Sequence, residues 1–417
     1  MIFSRLSFVA MAAIATLSTN AFAADTLADT FKNGILTGEI RTYYFDKDVA
    51  NDTQGHETIF ASGVMLSYVT DSFKGFKAGV TFQSSATPFS DDASKQLYKS
   101  DMWAQGAQLS ESYLAYTLGK TDAKIGRMYL STPLIAGSGS RLIKEAFEGV
   151  HITNKDIANT TLGAVYIDKF QARTNRTGKI GEFVAYGDGM YSLYAINKSL
   201  EGLTLTLAWA QNKERNEVPR SGITKATDLD IYHIEAIYAN KIGAFGYNIS
   251  GQYWLNEYSS VNAGQDDSIY GYALKAGASY ANISGYLAYS QISNDQNIPG
   301  TYGYRYMSHG AGNGSDVIYT NALISSYNYD PRMKAYALGL DYKITPSTSV
   351  GTIYAYTDTN TDVARSIDNE KVSYTGFYAS YAFSGTLKGL TVVAQYEDLG
   401  KDKEGGHEFR FKGSYKF

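Results

Sequence analysis

Hydrophobic and polar side chains alternate with a period of two along most of this chain. In residues 203–209 the odd positions Leu203, Leu205, Leu207 and Trp209 are apolar, and Thr204 and Thr206 stand opposite. In residues 390–397 the even positions Leu390, Val392, Ala394 and Tyr396 form the apolar face, against Thr391, Gln395 and Glu397. The last segment sets Phe409, Phe411, Tyr415 and Phe417 on one face and Glu408, Arg410, Lys412 and Lys416 on the other. Successive side chains of a strand point to opposite faces, so the pattern predicts strands with one apolar and one polar side. Two architectures produce it: an antiparallel sheet in water, or a closed barrel with lipid outside and a polar lumen.

Strand length and loop length separate the two. The predicted strands run for about ten residues or more, near the length that crosses a bilayer at a tilt, where soluble strands average about 5–6. They number 18, from 34–47, 57–70 and 75–85 at the start to 371–383, 387–398 and 407–417 at the end. An even count suits a barrel closed from hairpins. Connections after even-numbered strands are brief, as at 71–74, 119–122, 242–244, 282, 345–347 and 384–386. Those after odd-numbered strands are mostly long, as at 86–106, 131–146, 213–229 and 293–332. Short turns on one rim and long loops on the other mark an outer-membrane barrel, with the short rim periplasmic. All six Pro (Pro88, Pro133, Pro219, Pro299, Pro331, Pro346) fall in connections, where no ladder donor is needed. The fold class expected is therefore all-β: a transmembrane antiparallel barrel of about 18 strands. Aromatics near strand ends (Tyr43, Tyr44, Phe45, Tyr68, Phe73, Phe76, Trp254) are expected in the girdles at the two water–lipid interfaces.

The N-terminus reads differently. Arg5 precedes an apolar run from Leu6 to Leu17, then polar Ser18, Thr19 and Asn20 and a small-x-small ending at Ala21, Phe22 and Ala23. This is the layout of a secretory signal peptide over 1–23, leaving 24–417 as one barrel domain. The expected location is the outer membrane of a Gram-negative cell. The chain of 417 residues carries 36 Tyr, 19 Phe and 40 Gly but no Cys, which removes disulfides, thiolate metal sites and a Cys nucleophile. A net charge of −4 argues against nucleic acid as a partner.

Little in the sequence suggests catalysis. His56, His151, His233, His309 and His407 are scattered without paired spacing, so neither a metal nor a cofactor is expected. The Gly-rich stretch at 309–314 lacks the Lys-Ser/Thr of a phosphate loop and reads as a flexible connection. The charges fit a pore better. Glu39 and Arg41 lie on the polar face of the first strand, Arg410 and Lys412 on that of the last. The first and last strands must pair to close a barrel, so these groups become neighbours in the lumen. There they would attract anions and guide a carboxylate, unless they only pair with Glu39, Glu408 or other acids and line the wall. The connection at 131–146 mixes Leu134 and Ile135 with Arg141 and Lys144, which suits a loop folded inward and presenting Arg141.

Three segments resemble a known group. Arg41-Thr42-Tyr43-Tyr44-Phe45-Asp46-Lys47-Asp48 is similar to the R-x-Y-Y-F-x-R-D opening of the OprD family of outer-membrane channels, with Lys47 where that family commonly has Arg. The stretch from Pro133 to Leu142, ending Gly139-Ser140-Arg141-Leu142, resembles the family's inward-folded third loop. Residues 312–321 resemble its seventh loop, with Ser315 and Val317 departing from the pattern. The resemblance implies an 18-stranded barrel that passively takes up small water-soluble solutes, commonly carboxylates, along a ladder of basic residues. It places Arg41 in the ladder, Arg141 in the third-loop constriction and Asp316 as an acidic partner in the seventh loop. The partners expected are outer-membrane lipid, small solutes and, through the strand ending in Phe417, the barrel-assembly machinery. The assembly expected is a monomer or a homotrimer. The rival reading is a barrel with a blocked lumen serving as an adhesin or structural surface protein.

Overall fold

The structure, a computed structural model, describes residues 26–49, 55–99, 101–175, 177–212, 229–258, 268–293, 318–325, 328, 332–359, 370–400 and 405–417. The signal segment 1–23, the Gly-rich stretch 309–314 and Asp316 lie outside the described residues.

Eighteen strands form one sheet. They are β1 (Ile35–Val49), β2 (His56–Val69), β3 (Phe76–Ser85), β4 (Gly106–Leu118), β5 (Thr121–Met128), β6 (Ala146–Asn154), β7 (Thr160–Gln171), β8 (Phe183–Asn197) and β9 (Leu203–Asn212). The second half comprises β10 (Leu229–Ile242), β11 (Phe245–Tyr258), β12 (Ser268–Tyr280), β13 (Ile283–Ile292), β14 (Lys334–Thr345), β15 (Thr348–Thr359), β16 (Glu370–Ala382), β17 (Leu390–Asp398) and β18 (Gly406–Lys416). Each strand pairs antiparallel with its sequence neighbours, and β1 pairs with β18 from Glu39↔Lys416 to Val49↔Gly406, which closes the barrel. The backbone bonds between Gly38 and Phe417, at 2.8 and 3.0 Å, extend that seam to the last residue. Closure pairs the first strand with the last, so no open edge strand is left in lipid.

The alternation fixes which face goes where. Ile40, Leu66, Leu114, Leu193, Leu207, Leu274, Leu338 and Phe411 are exposed on the outside, an apolar band that only hydrocarbon would cover. Their neighbours one residue along, such as Arg41, Ser192, Thr206, Ala208, Ala273 and Arg410, point inward and are buried. A slip of one residue would exchange the two sets, so lipid on one side and polar lumen on the other hold the register. Aromatic placement departs in part from the sequence expectation. Tyr43 and Phe45 share the inward face with Arg41, and Trp254 is fully buried, so these three are lumen residues and not girdle residues. Strand-end position alone does not fix the face; parity does.

The rims differ as expected. On one side the turns are short, as at 119–120, 243–244 and 281–282. Gly119 at φ 59° and Gly243 at φ 60° supply the left-handed backbone that such tight turns require. On the other side stand the connections 86–105, 129–145, 172–182 and 293–333. Two short α-helices among the described residues were not visible in the alternation. α1 (Leu27–Lys32) precedes β1, with Thr26 Oγ1 accepting from Asp29 N at 3.1 Å. α2 (Asp92–Leu97) sits in the 86–105 connection, with Asp91 accepting from Ser94 N at 2.8 Å. No helix among the described residues is long and apolar enough to cross a membrane.

Candidate functional site: a basic cluster in the lumen

Barrel closure brings the charged faces of β1 and β18 together. The register sets Tyr43 opposite Lys412 and Phe45 opposite Arg410. Within each strand the basic group leans on the acid two residues before it, because i and i+2 share a face. Arg41 Nη2 donates to Glu39 Oε2 at 3.0 Å, and its Nε lies 2.9 Å from Oε1. Arg410 Nε donates to Glu408 Oε1 at 2.5 Å. Glu39 also accepts from Ser414 Oγ at 2.6 Å. Phe45 provides a face for the cations: Arg410 lies 4.8 Å, Arg141 5.5 Å and Lys412 5.6 Å from its ring centre.

The connection 129–145 folds inward onto this wall. Leu134 and Ile135 are fully buried beside Met128 and Phe147, and Leu142 packs with Tyr43, Phe45, Ile59 and Met102. Polar clamps fix its two ends. Thr132 Oγ1 donates to Ile135 O at 2.8 Å. Gln83 of β3 holds the Lys144 backbone on both sides, accepting from its N at 3.0 Å and donating to its O at 2.8 Å. Arg41 completes the anchorage by donating through Nη1 to the carbonyls of Arg141 and Leu142 at 3.1 and 3.0 Å. Arg41 therefore holds the loop as well as lining the wall.

Two further connections join the same cluster. Asp101, just past α2, forms ion pairs with Arg141 at 2.5 Å and with Arg173 of the 172–182 connection at 3.1 Å. Arg173 also lies 3.6 Å from Glu145. Six basic side chains (Arg41, Arg141, Lys144, Arg173, Arg410, Lys412) thus meet five carboxylates (Glu39, Asp101, Glu145, Glu397, Glu408). Burial works to raise the Asp101 carboxyl, but the Arg141 and Arg173 guanidiniums outweigh it and hold it well below the usual carboxylate range. Burial pushes the Lys144 ammonium down to about 8, and the charge of Arg41 adds to that. The Tyr129 phenol, under the Lys144 ammonium at 5.4 Å from its ring centre, is pushed up by burial and stays uncharged.

The described part of the 293–333 connection also turns into the barrel. Tyr319 donates to Glu235 of β10 at 2.6 Å, and Thr320 and Ser290 of β13 share a hydrogen bond at 2.7 Å. Glu397 of β17 accepts from Ile324 N at 2.9 Å and Ser325 N at 2.8 Å. Glu397 pairs with Glu408 across the sheet, so this loop borders the basic cluster. Sequence reasoning brought together Glu39, Arg41, Arg141, Arg410 and Lys412. It missed Asp101, Arg173 and Glu397, which belong to two other connections and a neighbouring strand. The signal for them was weak, since a charged residue in a long connection is ordinarily a solvated one. Among the described residues, no three His, Asp or Glu side chains stand gathered around one point as a metal would require.

With this geometry in place, the relationship to known proteins is direct. The sequence matches the family described as outer membrane porin, OprD family, over residues 109–416. That is about three quarters of the chain, and the chain belongs to the OprD family. Porins of this family are outer-membrane channels for small solutes, and no enzyme activity is implied by family or fold. The fold is similar to that of a BenF-like porin from Pseudomonas fluorescens Pf-5, with a TM-score of 0.76 at 15% identity over 93% of this chain and 99% of that one. It is also similar to Acinetobacter baumannii OccAB2, with a TM-score of 0.74 at 18% identity over 93% and 99% of the two chains. Pseudomonas aeruginosa OccK2 (OpdF), solved in complex with glucuronate, has a TM-score of 0.73 at 14% identity over 93% and 99%. No curated protein matches the chain in sequence.

Proposed function

We propose that this porin conducts small water-soluble solutes bearing a carboxylate, such as amino acids or organic acids, past the basic cluster formed by Arg41, Arg141, Arg410 and Lys412. The observation that carries this reading is the convergence of six basic groups against five acids where the seam meets the inward-folded loop. In a confined lumen an excess of positive charge raises the local concentration of anions. The glucuronate complex of a porin of the same fold is consistent with a carboxylate solute. Glu39 positions Arg41, and Asp316 is assigned as an acidic partner from sequence likeness alone. In this reading 1–23 is removed on export and the strand ending in Phe417 is read by the assembly machinery.

The test is planar-bilayer recording of the purified protein with an ion-selectivity measurement. Conductance steps that favour anions are expected, and changing Arg41 and Arg410 together to Ala should reduce that preference and slow carboxylate uptake into liposomes. Selectivity unchanged in the double variant would refute the ladder. One observation favours a second reading, a barrel closed along its axis that serves as a surface protein: Arg41, Arg410 and Lys412 are only 4%, 5% and 7% exposed. The absence of conductance steps would select that reading.

A further inference from the structure

The short-turn rim carries a positive charge that the lumen cluster does not use. Its turns and strand ends, residues 26–34, 70–77, 118–122, 154–160, 197–203, 241–245, 280–283, 341–348, 382–390 and 416–417, hold ten lysines, six acids and no arginine. All ten lysines are exposed, and among the described residues none of them forms an ion pair. Five of the six acids accept hydrogen bonds from neighbouring residues, as Asp122 does from Thr117 Oγ1 at 2.6 Å and Asp156 from Asn154 Nδ2 at 2.7 Å. Toward the long-loop rim the basic groups are matched instead: Arg127 and Lys169 share Glu148 at 2.9 and 2.6 Å, and Lys95 meets Asp92 at 3.0 Å. The chain as a whole is negative, at −4, so the unmatched positive charge is a local feature of one rim.

The fold sets the depth of these groups. Phe76, Phe245, Tyr280, Tyr342, Tyr381 and Phe417 are exposed on the outside at this end of the barrel and mark where the hydrocarbon gives way to headgroups. Lys74, Lys120, Lys155, Lys198 and Lys388 lie in five different connections just beyond that line. Parity separates four others. Lys77, Lys241, Lys343 and Lys416 each adjoin an outward residue (Phe76, Ile242, Tyr342 and Tyr415), so they face the mouth of the lumen. The helix α1 completes the outer set. Tyr68, on the outward face with Leu66, donates to the carbonyl of Phe31 and holds α1 against the end of β2. Leu27 and Phe31, one helical turn apart, are 60% and 56% exposed there, and Lys32 follows them.

We propose that Lys32, Lys74, Lys120, Lys155, Lys198 and Lys388 bind the anionic phospholipid headgroups of the periplasmic leaflet, with Leu27 and Phe31 of α1 inserted at the headgroup boundary. Long lysine side chains lay their apolar stems along a hydrophobic surface and keep the ammonium in the polar layer. An ammonium is a compact charge with three rotatable donors, which suits a fluid layer of phosphates; a fixed, bidentate partner would favour the arginines that this rim lacks. Attraction to an anionic leaflet fades within a Debye length, about 8 Å at physiological salt, so the groups must stand at headgroup level, where the aromatic line puts them. The apolar pair on α1 favours a lipid over an acidic protein as the partner, because it lies outside the barrel beside that same line.

The experiment is native mass spectrometry of the full barrel in zwitterionic detergent with equal phosphatidylglycerol and phosphatidylcholine, beside thermal unfolding in phosphatidylcholine vesicles with and without phosphatidylglycerol. The parent should retain phosphatidylglycerol over phosphatidylcholine by about tenfold or more at about 0.01 M salt, and unfold at a higher temperature when it is present. Both effects should vanish near 1 M salt, where screening reaches only about 3 Å. K74Q/K120Q/K155Q/K198Q/K388Q should bring the ratio close to unity, and K95Q/K99Q/K169Q/K179Q/K371Q, with as many charges removed elsewhere, should leave it. L27S/F31S should weaken retention of both lipids alike. Equal retention of the two lipids by the parent, a preference that persists at high salt, one that survives the loss of the five rim lysines, or one lost equally in the second lysine set would each overturn the proposal. The parent comparison across lipids and salt needs no variant to fold.

Discussion

Asp101 offers the sharpest test of the lumen electrostatics. It pairs with two arginines from two different connections, at 2.5 Å to Arg141 and 3.1 Å to Arg173. Asp101→Asn keeps the side chain's size and removes one negative charge from the cluster. An anion passing about 6 Å from that position is relieved of a repulsion of about 0.7 kcal/mol if the path is as polar as water, and about 3 kcal/mol at an effective dielectric near 20. Converted through RT, the preference for chloride over potassium should rise at least about threefold. The assay is the reversal potential of single channels under a KCl gradient, run near 0.1 M, where screening reaches only about 10 Å. The variant should shift the potential toward that of chloride. A second effect should accompany the first, because the amide cannot hold both guanidiniums, so the three connections lose a common tether and open-channel noise increases. A reversal potential equal to that of the parent would refute the reasoning, since it would mean solutes do not pass near this cluster.

Two further outcomes follow from individual groups. Lys144, whose ammonium is pushed down to about 8 by burial, should lose its charge as pH rises through that value, so anion preference falls between about pH 7 and 9. Because the folded group releases its proton before the unfolded one at 10.5, the barrel gains stability through Lys144 between about pH 8 and that value, and Lys144→Gln should abolish both trends in selectivity and unfolding. Glu397→Gln removes the charge that accepts from Ile324 N and Ser325 N, at a cost of about 1–3 kcal/mol, and should speed proteolysis within the 293–333 connection while leaving the barrel folded.

The barrel was legible because its signal is repeated: a strand facing lipid and water must alternate along its whole length, and eighteen of them do. The paired acid and base at Glu39 and Arg41, or Glu408 and Arg410, were legible for the same reason, since positions two apart share a face. What the chain hides is contact between connections. Asp101 and Arg173 meet only because two long loops fold over the same point, and no period links them. The approach of His56 and His407 to 6.4 Å between ring centres is hidden differently: it needs closure and register together, since a shift of one residue at the seam would turn one ring inward. Tyr43 and Phe45 look like interfacial aromatics by position, but their parity with Arg41 makes them lumen residues.

That Arg41 and Arg410 are already paired with acids is compatible with the carboxylate conduction proposed above. A bare guanidinium buried in a narrow lumen would hold a carboxylate too tightly to release it. With Glu408 at 2.5 Å from Arg410 and Glu39 at 2.9 Å from Arg41, a passing carboxylate must exchange with a resident one. Each exchange trades one charge-assisted hydrogen bond for another, so the wells along the path stay shallow and transit requires no large step. Phe45 adds a neutral face between Arg410, Arg141 and Lys412 that favours cations without competing for the solute. On this argument Glu408→Gln should strengthen carboxylate binding while slowing its passage, with half-saturation falling in bilayer titrations as maximal flux falls. A variant in which both rise together would show that Glu408 acts as an obstacle on the path.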